Sequence, residues 1–169
     1  FIVTFLVKTP ISFLLLLVGA IIYFKKLKLS GLNGLFILIP VLIFFTVTSW
    51  KALDMGIRYL LPVYPFLIMP AGMLLAELFT GKGGIKLFSR KFTVILAVIL
   101  VGWYAFPTLR VYPDFLAYFN EWAGGSNNGA KYLDGSNLDW GYDLKRLKEY
   151  QQKNPETKVV WNQAWSGFD

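Results

Sequence analysis

KALDMGIRYLLPVYP, residues 51–65, sets a short polar loop directly against a hydrophobic segment studded with prolines. Read as a membrane boundary, this stretch places Asp54 and Arg58 at a membrane surface, with Tyr59 beside the arginine at the level of lipid headgroups. A fixed, planar cation there suits the phosphate of a lipid-borne substrate better than it suits a core. The same residue types also serve as plain interfacial anchors, because Arg and Tyr gather at membrane boundaries whether or not they bind a ligand.

Working outward, residues 59–79 form a span that contains Pro62, Pro65 and Pro70. Each proline removes a helical hydrogen bond, so the start of this span is expected to be broken or kinked. Irregular backbone at membrane depth survives only where it is buried in protein or lines a wet cavity, which favours a substrate site here. Glu77 near the far end reads as a headgroup-level carboxylate close to Lys82 rather than a proton relay. Residues 34–50 form a second span, with Pro40 inside it. Residues 92–109 form another, closed by the aromatic belt of Trp103, Tyr104 and Phe106. The first, residues 10–24, opens on Pro10 and is short, since crossing roughly 30 Å of hydrocarbon takes about twenty residues. Either Lys8 and Lys25 snorkel or the apolar residues before Lys8 contribute. Residues 1–109 thus make a transmembrane region of about four helices.

Composition agrees with a membrane protein: 56% of the 169 residues are hydrophobic and 18% aromatic, with a mean hydropathy of +0.51. The net charge of +7 comes from residues flanking the apolar runs, and there is no basic groove for nucleic acid. Without cysteine there is no disulfide or thiolate chemistry, and without histidine the commonest general base and zinc ligand are missing. Acid–base or metal chemistry would have to use carboxylates; no cofactor is called for, and a divalent metal has no support in the residue pattern. The basic loop TGKGGIKLFSRK, residues 80–91, lacks the spacing of a phosphate-binding P-loop. It and the loop holding Lys25, Lys26 and Lys28 carry most of the bases, which puts both in the cytoplasm. The Arg58 loop and everything after Leu109 then lie outside, in a multi-pass protein of the cytoplasmic membrane.

The extracytoplasmic tail, residues 110–169, begins with YPDFLAYFNEWAGG. Phe115, Tyr118, Phe119 and Trp122 share one helical face, which predicts an interfacial helix over 113–123, lying in lipid or packed on the spans. Leu144, Leu147 and Tyr150 predict a further helix, and TKVVWNQAW reads as a strand. Residues 137–169 are therefore the start of a small α/β unit, truncated in a chain that opens without methionine and reads as a piece of a longer protein. Asn137, Asp139, Trp140 and Asp143 are the most site-like cluster of the tail. Carboxylates accept sugar hydroxyls while an indole packs on the C–H face; helix capping and ordinary packing are the stronger reading of the same residues from spacing alone.

KTP (Lys8 to Pro10), GIRYLLPVYPFL (Gly56 to Leu67), YPDFLAYFNEWAGG (Tyr112 to Gly125) and above all SNLDWGYDLKRL (Ser136 to Leu147) occur in this order. Together they resemble the C-terminal half of bacterial phospholipid-carrier-dependent glycosyltransferases. Those are polytopic enzymes of the GT-C fold, related to the dolichyl-phosphate-mannose protein mannosyltransferases and the lipid A aminoarabinose transferase. The resemblance covers most of the chain, and the Asn-Leu-Asp-Trp-Gly-x-Asp-Leu run is its most specific part. Where the family pattern has Gln between Gly and Asp this chain has Tyr142, so that position holds no essential side-chain contact.

The resemblance implies transfer of a sugar from a polyprenyl-phosphate donor to a lipid, glycan or protein acceptor on the outer face, with inversion at the anomeric carbon. The family's catalytic carboxylate lies in an early external loop, upstream of this chain, so neither Asp54 nor Asp139 is assigned as general base. Arg58 and Tyr59 are the expected lipid-phosphate contacts, and Lys8 on the same face offers another. Asn137, Asp139, Trp140 and Asp143 are expected near the sugar or acceptor. The competing reading is a non-catalytic flippase or transporter of lipid-linked sugars, which would use the same broken helix and arginine. An acidic residue in an early external loop would separate the two.

Overall fold

The computed structural model describes residues 1–51, 56–82, 84–85, 89–133, 137–138 and 144–156. Within them every regular element is a helix. Helix α1 covers Ile2–Lys8, α2 Ile11–Ile22, α3 Leu32–Lys51, α4 Tyr64–Thr80, α5 Arg90–Arg110 and α6 Leu144–Lys153. A 3-10 segment, Ile57–Val63, leads into α4.

The first span departs from expectation. Pro10 forces its predecessor out of the helical region, and Thr9 is extended at φ −98°, ψ 133°. The chain therefore turns by 116° between α1 and α2, and no single helix runs over 10–24. Helix α2 alone has 12 residues, about 18 Å at 1.5 Å per residue, too short to cross hydrocarbon unaided. Three helices, α3, the joined Ile57–Thr80 and α5, are long and apolar enough to cross a membrane, and the bent pair makes a fourth if counted as one span.

The prolines of the third span are absorbed at its entry. Pro62 sits in the 3-10 segment and Pro65 in the first turn of α4, where the missing N–H has no helical partner to lose. Pro70 alone falls in the α-helical body, and Pro40 and Pro107 do the same in α3 and α5. Small residues set the helix crossings: Ala20 of α2, Ala71 of α4 and Ala97 of α5 are buried in one core with Phe13, Leu16, Leu74 and Leu78. By contrast Phe36, Ile43, Val47 and Trp50 of α3 are exposed. Apolar surface on that scale calls for lipid or a partner helix rather than water.

The basic loops meet at one end of this bundle. Lys26 Nζ donates to Gly84 O at 3.1 Å. Arg90 Nη1 donates to Leu78 O at 2.8 Å and its other amino group to Phe79 O, satisfying carbonyls that the end of α4 leaves over.

The opposite end carries the tail, and there the expected helix over 113–123 is replaced by two short 3-10 turns, Phe115–Ala117 and Glu121–Ala123, with Tyr118 extended between them. The cause is Asn120. Its side chain accepts from Ala123 N at 3.3 Å, while its backbone N–H and amide group bind α1, and these bonds compete with helix continuation. As a result Tyr118 and Phe119 are buried, but Phe115 and Trp122 are exposed, so the four do not form one face. Helix α6 forms where its periodicity predicts it. The predicted strand over 157–165 lies outside the described residues, and the described ones contain no strand.

The chain lacks cysteine, so single-site labelling reads its two ends directly. Lys25→Cys and Tyr132→Cys, both at exposed positions, should react with a membrane-impermeant maleimide from opposite sides of sealed vesicles. Labelling of both from one side would contradict a bundle whose two ends face different compartments.

Candidate functional site

Thr9, held extended by Pro10, leaves backbone groups at the end of α1 free to bind elsewhere, and the tail takes them. Asn120, 1% exposed, donates through Nδ2 to Leu6 O at 2.6 Å and Thr9 O at 2.8 Å. Its own N–H donates to Val7 O at 2.9 Å. Thr9 Oγ1 in turn shares a 2.8 Å hydrogen bond with the Tyr64 hydroxyl at the start of α4.

Lys8 lies at the centre. It is 8% exposed, and its ammonium donates to Leu116 O at 2.7 Å and to Asn137 O at 2.5 Å. It also sits 3.7 Å from the centroid of the Phe119 ring. Two carbonyl dipoles and an aromatic face offset the desolvation that burying an ammonium costs. Phe119 can approach because residue 129 is glycine: a Cβ there would stand 2.2 Å from the ring.

Asn137, 2% exposed, closes the arrangement. Its Oδ1 accepts from Ile57 N at 3.1 Å, at the first turn of the 3-10 segment. The preceding residue, Gly56, has φ +88°, where a side chain is strained, and a Cβ on it would meet Asn137 Oδ1 at 2.2 Å. Only glycine allows this approach. Ile57 is thereby fixed, and Arg58, the next residue, projects from a pinned backbone. Arg58 is exposed, with its guanidinium 5.3 Å from the Tyr59 ring centroid. Tyr59 meets Phe1 edge to face at 6.4 Å.

The structure therefore joins KTP, GIRY, DFLAYFN and Asn137 at one end of the bundle, although they are far apart in sequence. Of the residues singled out from sequence, it brings together Lys8, Arg58, Tyr59 and Asn137. Asn137 and Lys8 act within the knot as ties, Lys8 through its ammonium and Asn137 through its backbone carbonyl and Oδ1, whereas Arg58 is exposed. Asp54, Asp139, Trp140 and Asp143 lie outside the described residues. Sequence reasoning missed Thr9, Tyr64 and Asn120. A single asparagine inside an aromatic run was the available signal, since a polar group there is either exposed or satisfied by a specific partner.

These features define an all-helical chain, in its described residues, with helices suited to a membrane and a polar knot at one end. No family model, curated protein or solved structure matches it.

Lys8→Met keeps most of the volume but strands two carbonyls, which should cost about 1–3 kcal/mol, read as a lowered melting temperature in detergent. Gly56→Ala adds backbone strain of about 1–3 kcal/mol and displaces Asn137. In an Asn137→Ala background the displacement has nothing to act on, so the double variant should be less destabilised than the sum of the two singles. Strict additivity would show that Gly56 and Asn137 do not press on one another.

Proposed function

We propose that the intact protein is a membrane glycosyltransferase that moves a sugar from a polyprenyl-phosphate donor to an acceptor on the extracytoplasmic face, with Arg58 as the group that receives the departing lipid phosphate. The observation that carries this reading is the convergence just described. Segments chosen for their resemblance to such enzymes share one hydrogen-bonded knot, and Asn137 of the Asn-Leu-Asp-Trp run holds the amide next to Arg58.

In the reaction, the bond between the anomeric carbon and the phosphate oxygen breaks, and the oxygen keeps the electron pair. The acceptor oxygen bonds to the same carbon from the opposite face, and its proton passes to a carboxylate expected upstream of these residues. Negative charge grows on the lipid phosphate as the bond opens. A guanidinium on a fixed backbone stabilises that charge more in the transition state than in the bound donor, which is the condition for accelerating the chemical step. Its planar fork also matches two phosphate oxygens at once.

In this reading the lipid tail has a bed. An apolar groove of about 330 Å³ runs between α2, α3 and α4, lined by residues such as Phe5, Ile37, Phe45 and Leu67. Phe5 packs on Phe45 and Tyr64, so the groove begins beside the knot.

In the intact enzyme, Arg58→Ala should lower turnover with a polyprenyl-phosphate sugar on the order of 10²–10³-fold, by analogy with removal of one oxyanion donor. Arg58→Lys should recover part of the loss, since the charge returns without the fork. Protein yield and melting temperature should change little. Wild-type turnover in the alanine variant would refute the assignment of Arg58.

A further inference from the structure

Beyond the knot, where α5 ends, the tail folds over a cleft of about 780 Å³ that the arrangement around Arg58 does not use. Its volume falls within the range of small-molecule sites. Phe106 and Tyr112 give it aromatic surface, and Arg110, Asp114, Tyr118 and Glu121 give it polar groups.

The polar groups are held in place. Glu121 Oε1 accepts from Trp103 Nε1 at 2.8 Å, and Asp114 takes both of its contacts from Arg146 Nη1, at 2.9 and 2.8 Å. Tyr118 is different: it is 8% exposed, lines the cleft, and its hydroxyl has no partner among the described residues. A buried hydroxyl without a partner costs about 1–3 kcal/mol, so a ligand that supplies an acceptor recovers that energy. Burial first, then the charges of Glu121 and Tyr104, push the phenol up to about 12, which keeps it a donor.

The charges nearly cancel, two carboxylates against Arg110 and the Asp114-bound Arg146, so the cleft is poorly suited to an anion. Aromatic surface beside one phenol donor and carboxylate acceptors matches the alternating C–H faces and hydroxyls of a neutral sugar. Phe119 belongs both to the cleft lining and to the Lys8 contact, so the cleft borders the knot that holds Arg58.

We infer that this cleft is a binding site for a neutral, polyhydroxylated ligand, the glycan acceptor, with Tyr118 donating to a ring or hydroxyl oxygen and Glu121 accepting from a hydroxyl. The acceptor role rests on the glycosyltransferase reading; the binding of a neutral sugar does not.

The test is titration of the full chain in nanodiscs with maltose, cellobiose and inorganic phosphate, followed by calorimetry and by saturation-transfer NMR. Disaccharide binding is expected, weakened about tenfold or more by Tyr118→Phe and by Glu121→Gln, each of which removes one hydrogen bond without changing shape. Glu121→Gln should melt near wild type and Tyr118→Phe, which removes an unpartnered buried hydroxyl, at or above it, which separates lost contacts from lost folding. Arg58→Ala should leave disaccharide binding unchanged. The inference is overturned if no disaccharide binds, if both cleft variants bind normally, if binding requires Arg58, or if phosphate displaces the sugar. Retained disaccharide binding in an intact protein that transfers no sugar would reject the glycosyltransferase reading and leave the cleft standing.

Discussion

A buried ammonium organises one end of this protein. Lys8 sits where α1 stops, out of water, and its bonds run to carbonyls of two segments more than a hundred residues later in the chain. Were either segment to leave, a charge would remain in a low-dielectric setting with a partner missing, at a cost far above that of an exposed ion pair. The tail is thus coupled to the helices by electrostatics more than by apolar area. Its own apolar share is small: Val7, Phe119, Ala123 and Leu133 form a satellite cluster apart from the main core.

Prolines and asparagines divide the remaining work. Pro10 breaks the first span and Pro62 tightens the entry to the third, and each break leaves backbone groups that helices would otherwise consume. Two buried asparagines take up such groups, Asn120 at the first break and Asn137 at the second. Asparagine suits the task because one short side chain both donates and accepts. Kinks that would be liabilities in isolation become the docking points of the tail, and the docking holds the backbone from which Arg58 extends.

Local pattern made the long helices legible. An uninterrupted apolar run fixes a span to within about two residues, so 34–50, 59–79 and 92–109 sit close to Leu32–Trp50, Ile57–Thr80 and Arg90–Arg110. Helix α6 was legible for the same reason. What failed had a non-local cause. The aromatic spacing over 113–123 is that of a helix, yet Asn120 binds Leu6, Val7 and Thr9, and nothing in the local sequence announces those partners. The first span failed at Pro10, whose presence was plain but whose turn of 116° was not. For the site, the positions of Arg58 and Lys8 on one face were legible from charge asymmetry, while the burial of Lys8 was not, because burial depends on what the tail covers.

Burial then separates two cations of the same sign on the same face. Lys8 has its ammonium committed to two carbonyls and a ring, so a phosphate reaching it would have to displace protein contacts before gaining its own. A strongly hydrated point charge on a flexible stem is well used when surrounded in this way. Arg58 is exposed, its backbone is pinned one residue earlier, and its guanidinium lies 5.3 Å from the Tyr59 ring centroid. A phosphate can therefore approach the exposed arginine from solvent, whereas the lysine is covered by protein. The contribution of Lys8 to such a site is positional: it fixes Asn137, Asn137 fixes Ile57, and the fixed amide sets where the guanidinium can reach.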